Sequence, residues 1–293
     1  MENFDNIIVT NNGAVSITDI EEFPAIDIHE LQDIFLIPSI NKKFREENFD
    51  TYTFYNVPVP RVSNILKECI SKEYLMKWAA SIGTKAMYAQ QKKATTIGTI
   101  VHELIERYLN NDVSEYDYKH KTPNSYLYSI EKAFNNFLLW EKNLNRQGYK
   151  IEKIIGTEIP VSCPYYGGTI DCIMRINGAN YIVDFKTSKS ISFEYIIQTC
   201  AYLWIINNGY VSNIPYVDGI GIIRIDKQMS KFEDLFLNLH IPEQKIIIDQ
   251  YIQGFGSLLY SYYNQLNMKN LFTAYKKSYN ANKTLKGETN EIQ

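Results

Sequence analysis

The stretch from Glu158 to Tyr202 holds the residues best suited to chemistry. Three carboxylates, Glu158, Asp171 and Asp184, fall in three successive β-type runs, IEKIIGTEIPV, GGTIDCIMRI and YIVDFKTS. Lys186 follows Asp184 by two residues. Alternate residues of a strand point to one side, so this acid and base share a face. Asp171 is expected beside them, at the end of the neighbouring strand. Charges at the end of an apolar strand are costly to bury unless they are paired or used. Two acids offer hard oxygen ligands suited to Mg²⁺ or Mn²⁺. Such an ion can polarise a phosphodiester and acidify water, while a lysine alongside orients that water and balances developing negative charge. A structural ion pair at the strand end is the alternative that Asp184 and Lys186 alone leave open.

Two helical patterns can add to this set. Gln198 and Tyr202, four residues apart, share one face of the helix that follows the third strand. A Gln amide can bind phosphate or the surroundings of a nucleophile, and a Tyr can stack or donate to phosphate. Upstream, TTIGTIVHELIERYL is amphipathic, with Ile97, Val101, Leu104, Ile105 and Tyr108 on its apolar side. Gly98 and His102 lie one turn apart beside that stripe. A glycine inside a helix costs about 1 kcal/mol relative to Ala, which suggests a close backbone approach there. That approach would let His102 reach the carboxylates as a further metal ligand. Singly, each pattern also fits an ordinary half-buried helix face or a core histidine.

The elements that must position these residues follow in a clear order. IIVT and VSIT flank Asn12-Gly13 as a hairpin, and residues 51–62 are extended, with Pro58 and Pro60 blocking helix. Ser63 is placed to cap the helix that follows, and helical pattern dominates to about Tyr149, broken by a polar loop near 110–124. From Ile151 short β-rich runs, separated at Gly167-Gly168 and Asn177-Gly178, predict a meander. A helix over about 193–207 comes next, then strands near 219–225 and 232–240. A last helix opens at Pro242 and reaches about Leu266. The resulting divisions are an acidic extension over 1–50, a mainly helical lobe over 51–148, a core over 149–266 and a polar tail over 267–293. The fold class is α/β (α+β), with one central mixed sheet flanked by helices.

Composition bounds the function. A chain of 293 residues with 14% aromatics, 23 of them Tyr, is not disordered throughout. No apolar run approaches the roughly 20 residues of a membrane span, and the N-terminus has no signal or transit pattern, so an intracellular, cytoplasmic protein without a membrane partner is expected. Cys69, Cys163, Cys172 and Cys200 are dispersed with no Cys-x-x-Cys pair, as suits buried thiols in a reducing compartment. The net charge of −3 conceals a split: −8 over residues 1–50 and +5 over the rest. Seven bases, Arg61, Lys67, Lys72, Lys77, Lys85, Lys92 and Lys93, stand against two acids between 61 and 93, with Tyr74, Trp78 and Tyr88 interleaved. These basic residues and Trp78 suit phosphate contacts and base stacking; a solvated helix face with core aromatics is the alternative. The same split suggests that the acidic segment covers the basic lobe as a DNA mimic.

In order, Gly98-Thr99-x-Val101-His102, Glu158-x-Pro160-Val161, Gly167-Gly168-Thr169-Ile170-Asp171, Val183-Asp184-Phe185-Lys186-Thr187-Ser188 and Gln198-x-x-x-Tyr202 resemble the motifs of the PD-(D/E)xK nuclease superfamily. The RecB-like exonucleases and relatives of the mitochondrial genome maintenance exonuclease are the nearest in pattern, and VPRVSNIL at 59–66 is similar to the segment before their helical region. The resemblance covers about residues 52–203. It implies a metal-dependent DNA exonuclease, acting on ends of single-stranded or frayed DNA in repair, recombination or replication, with one or two Mg²⁺ or Mn²⁺ ions. Asp171, Asp184, the Phe185 carbonyl and His102 would hold metal, Lys186 would be the catalytic lysine, and Glu158, Gln198 and Tyr202 would complete the site. The sequence departs from the pattern in having Ile170 where the motif has Pro, Asp184 where Glu is commoner, and Arg61 where Ser is frequent. Its cysteines do not follow the four-Cys pattern of the iron–sulfur relatives, so no iron–sulfur cluster is expected. A structure-selective endonuclease of the same superfamily, or a non-catalytic nucleic-acid-binding protein on the same fold, are the alternatives.

Overall fold

The computed structural model describes residues 8–10, 13–15, 45–46, 49, 52–71 and 73–285. Most of the acidic extension, and with it the suggested cover over the basic lobe, lies outside these residues, as does Lys72. Strands β1 (Ile8–Thr10) and β2 (Gly13–Val15) pair antiparallel with Thr10 opposite Gly13, so Gly13 belongs to a strand of the predicted hairpin and not to its turn. A second hairpin joins β3 (Tyr52–Phe54) to β4 (Val57–Val59), where Tyr55 and Asn56 both have positive φ, the conformation a two-residue hairpin turn needs.

Helices α1 (Val62–Cys69), α2 (Glu73–Ile82) and α3 (Thr84–Leu109) follow. Arg61, not Ser63, stands at the start of α1, which makes no side-chain cap there. The Pro60 carbonyl accepts from the Gly167 N–H at 2.9 Å, and docking on that strand fixes where the helix begins. A one-turn helix α4 (Tyr118–Lys121) interrupts the polar loop before α5 (Asn124–Arg146). Ile97, Ile100, Val101, Ile105 and Leu109 of α3 pack against Ile130, Ala133, Phe137, Trp140 and Leu144 of α5. Each of the larger of these side chains contributes about 1.5–3 kcal/mol on burial, which pins the rotation of α3 and so the direction in which His102 lies.

The central sheet has the order β5 (Ile151–Ser162), β6 (Gly167–Ile176), β7 (Ala179–Lys186), β8 (Gly219–Ile225), β9 (Phe232–Asn238). β5, β6 and β7 form an antiparallel meander, β7 and β8 are parallel, and β9 returns antiparallel, which makes the sheet mixed. Asn177 and Gly178, both at positive φ, turn β6 into β7. Gly167 and Gly168 do not form a turn: they pair with Ser162 and Val161 inside the sheet. Their lack of side chains makes room for two tyrosines, since a Cβ on Gly168 would lie 2.4 Å from the Tyr202 hydroxyl and one on Gly167 2.8 Å from Tyr52.

Helix α6 (Phe193–Asn207), capped by Ser192, makes the crossover from β7 to β8. The parallel pair requires such a crossover. With α1 and α7 (Pro242–Leu285) it covers one face of the sheet, over Ile173, Ile182, Ile220 and Ile222. α3 and α5 cover the other, over Cys172, Met174, Val183, Phe185 and Ile223. α7 continues well past Leu266, so the stretch read as a polar tail is helical as far as Leu285. Residues 268–280 are exposed, so no buried stripe marks that part of the helix in the sequence. None of the described helices is long and apolar enough to cross a membrane.

Candidate active site

β7 is buried on both faces, which explains its apolar sequence and isolates its one acid. Asp184, 5% exposed, stands at the end of that strand. Its Oδ1 accepts from the Lys186 ammonium at 2.7 Å, as the shared strand face requires, while its Oδ2 is buried and has no hydrogen-bond partner. An unsatisfied carboxylate oxygen costs about 1–3 kcal/mol or more, so this atom is chemically suited to take up a cation. Burial outweighs Lys186 and raises the Asp184 carboxyl above the usual carboxylate range. Burial works to lower the Lys186 ammonium, but Asp184 and Asp171 outweigh it and hold it above the ordinary lysine value. The ammonium also lies 5.0 Å over the Tyr195 ring, a second constraint on its position.

Asp171 comes from the adjoining strand β6. Its Oδ2 accepts from the Phe185 N–H at 2.9 Å and lies 3.4 Å from His102 Nδ1. His102 arrives from α3, beside the apolar stripe that the core fixes. Its ring meets Phe185 edge-on at 6.3 Å. Gly98, one turn earlier, faces Thr187, and a Cβ there would sit 3.4 Å from the threonine hydroxyl, an ordinary contact. The glycine therefore borders the site without being forced by it. Glu158 completes the group from β5, at φ +46, a strained conformation for a glutamate. Its backbone would fall opposite Asp171, but the ladder pairs Thr157 with Cys172 and Ile159 with Ile170 and passes Glu158 over. Partial burial, then the charge of Asp171, raise its carboxyl.

The ligand atoms of His102, Glu158 and Asp171 lie within 4.8 Å of one another, the spacing of a metal-binding group. Asp184 stands outside this group, held by Lys186, and Glu158 stands inside it. The sequence expectation placed Asp184, and not Glu158, among the metal ligands. The group opens into a cavity of about 770 Å³ that also exposes Glu103, Glu106, Lys186 and Phe185. Four carboxylates against two lysines make the cavity unwelcoming to a phosphate by itself. A divalent cation would cancel that excess of negative charge, and the donor set of carboxylate oxygens and one imidazole fits Mg²⁺ or Mn²⁺.

Gln198 and Tyr202 of α6 are brought together, the amide donating to the phenol oxygen at 3.1 Å. Neither lines the cavity, and Tyr202 is buried beneath Gly168. Among the cavity residues that escaped the sequence reading are Glu103, Glu106, Tyr195 and Lys227. Tyr195 lies three positions before Gln198 on the same helix face, a signal that was available. Lys227 follows a strand remote in sequence, and nothing local marks it.

The basic run is divided in space. Arg61 stacks over Tyr52, with 5.7 Å from guanidinium to ring. Lys67 lines a separate groove with Tyr262 and Lys269. Lys77 pairs with Glu73 at 2.8 Å, Trp78 is half-buried beside it, and Lys85 is exposed. Lys93 lies over the Tyr126 ring at 5.0 Å. Lys92 lines a groove with Thr95, Thr99 and Glu103, three residues that also line the main cavity.

The sequence model of the PD-(D/E)XK nuclease superfamily matches residues 72–280. No curated protein matches the chain. Among solved structures, the crystal structure of SSO0001 is similar at 15% identity, covering 74% of this chain and 83% of that one with a TM-score of 0.32. The family match spans most of the chain, and the chain belongs to the PD-(D/E)XK nuclease superfamily.

Proposed function

We propose that this member of the superfamily is a divalent-metal-dependent deoxyribonuclease, working as an exonuclease on ends of single-stranded or frayed DNA. The observation that carries the proposal is the meeting, in one open cavity, of the His102, Glu158 and Asp171 group with Lys186, whose ammonium is held from behind by the buried Asp184. His102, Glu158 and Asp171 would hold the cation, while Asp184 acts behind them by holding Lys186. When bound, the cation supplies charge neutralisation at the phosphate and a lowered pKa for water.

The chain's own residues do the rest. Asp184 and Tyr195 together keep the Lys186 ammonium from swinging away, so it meets the substrate already oriented. There it donates to the attacking water or to the phosphate oxygen that gains charge. Asp171 ties its carboxylate to the β7 backbone through the Phe185 N–H, which fixes the spacing between the two strand ends. Preference for ends and for DNA rests on the motif resemblance to the RecB-like branch.

The test is digestion of end-labelled single-stranded, double-stranded and covalently closed circular DNA in Mg²⁺ or Mn²⁺. Metal-dependent loss of linear DNA, abolished by chelator and reduced at least about 10³-fold in Asp184→Ala and Lys186→Ala, is expected. No turnover, or unchanged turnover in both variants, contradicts a catalytic role. Cleavage of circles as fast as of linear DNA contradicts the exonuclease assignment.

A further inference from the structure

The turn between β8 and β9 is held from several sides. Asp226 accepts from the Gln228 N–H at 2.8 Å and the Met229 N–H at 2.9 Å, and its own N–H donates to the Lys231 carbonyl at 3.1 Å. From α5, Asn136, 2% exposed, donates to the carbonyls of Asp226 at 2.7 Å and Met229 at 2.6 Å. Arg224, fully buried on β8 opposite Lys186, pairs with Asp226 at 3.1 Å and Glu233 at 3.0 Å. It also donates to the Ser188 carbonyl at 3.3 Å. A buried guanidinium is costly to place and strongly destabilising to break, so it clamps the turn to the loop that follows Lys186.

What this clamp presents is Lys227. The side chain is half-buried in the cavity wall that also holds Lys186, Glu158 and Asp171. It makes no hydrogen bond or ion pair of its own among the described residues, and the adjacent Asp226 is already committed to Arg224 and the turn amides. Burial lowers its ammonium below the ordinary lysine value. A partly desolvated cation with no protein partner, fixed by a rigid turn, is suited to an anion supplied from outside. An ammonium on a flexible stem is a point-charge binder of phosphate and reads no base.

We infer that Lys227 binds a backbone phosphate neighbouring the scissile one, holding the strand in register while Lys186 works on the phosphate that is cleaved. This deepens the nuclease proposal and rests on it. The test compares wild type, Lys227→Gln and Lys227→Arg, each checked for an unchanged circular dichroism spectrum. Binding of a fluorescent single-stranded oligonucleotide is measured with Ca²⁺ in place of Mg²⁺ across a salt series, and turnover separately in Mg²⁺. For Lys227→Gln the expected results are a roughly fivefold to tenfold weaker Kd and a log–log salt slope reduced by about 0.7, the slope that one neutralised phosphate of a single strand supplies. KM should rise in step with Kd while kcat stays within about threefold, Lys227→Arg should recover most of the affinity, and the shift of Tm by Mn²⁺ should be unchanged. An unchanged Kd and salt slope, or a fall in kcat with KM constant, overturns the inference while the activity of the wild type leaves the nuclease proposal standing. A wild type that binds with the expected slope but never cleaves removes the nuclease proposal, and with it the assignment to a phosphate beside the cleaved one. A wild type that neither binds nor cleaves removes both.

Discussion

Lys186 and Asp184 show how much two residues can state about themselves. Their spacing on an apolar strand dictates a shared face, and the 2.7 Å contact follows from that. Asp171 was legible because a meander brings its strand end alongside. Glu158 was visible as an acid on a strand, but its entry into the cluster depends on a residue at φ +46 that the ladder skips, and no local pattern encodes that. Lys227 was invisible for a related reason: β8 joins β7 only through the crossover. The crowding of Glu158 and Asp171 has a measurable consequence. Glu158→Gln relieves the repulsion, so without metal the variant should be more stable, by under about 1 kcal/mol because the carboxylate keeps contact with solvent. The same variant should lose most of the Tm increase that Mn²⁺ gives the wild type. Thermal melts with and without Mn²⁺ check both signs, and a full Mn²⁺ shift in the variant would remove Glu158 from the site.

At the scale of elements, glycines separate what is required from what is permitted. Gly168 lies in β6 with the Tyr202 hydroxyl 2.4 Å from where a Cβ would be, so Gly168→Ala overpacks and should cost about 1–3 kcal/mol. Gly98 has an ordinary contact at that position, and Gly98→Ala should instead gain up to about 1 kcal/mol of helix propensity. Urea denaturation of the two variants measures the contrast, and equal shifts would contradict this reading of the packing. The sequence had the two roles the other way round: Gly98 as the close approach, Gly167-Gly168 as a turn. Strong local signals served better. Asn177-Gly178 between β runs gave an element edge that the fold keeps, and the helix expected over about 193–207 is α6. The length of α7 was missed because residues 268–280 are exposed, and burial is what periodicity reports.

At the scale of the whole molecule, the sequence averaged a basic run that the fold distributes over separate places. Lys67 belongs to a groove with Tyr262 and Lys269, whereas Lys92 shares its neighbours with the acid-lined cavity. If the substrate strand enters along α3, Lys92→Glu should weaken oligonucleotide binding roughly tenfold at low salt, with the difference shrinking as salt rises. Lys67→Glu should leave it within about twofold. Fluorescence anisotropy across a salt series checks this, and equal losses in the two variants would mean that the path is not the one along α3. The mixed sheet and its helical layers were legible because element order and connection chemistry limit the topologies available. The division of charge among grooves was not, since it is a property of the packed surface.

The most direct measurement is anomalous diffraction at the manganese edge from crystals of the full chain grown with MnCl₂. A peak bonded to His102, Glu158 and Asp171, at the mouth of the cavity that holds Lys186, is the expected result. Well-ordered side chains at those three positions with no peak between them, at a Mn²⁺ concentration that supports cleavage, would contradict it.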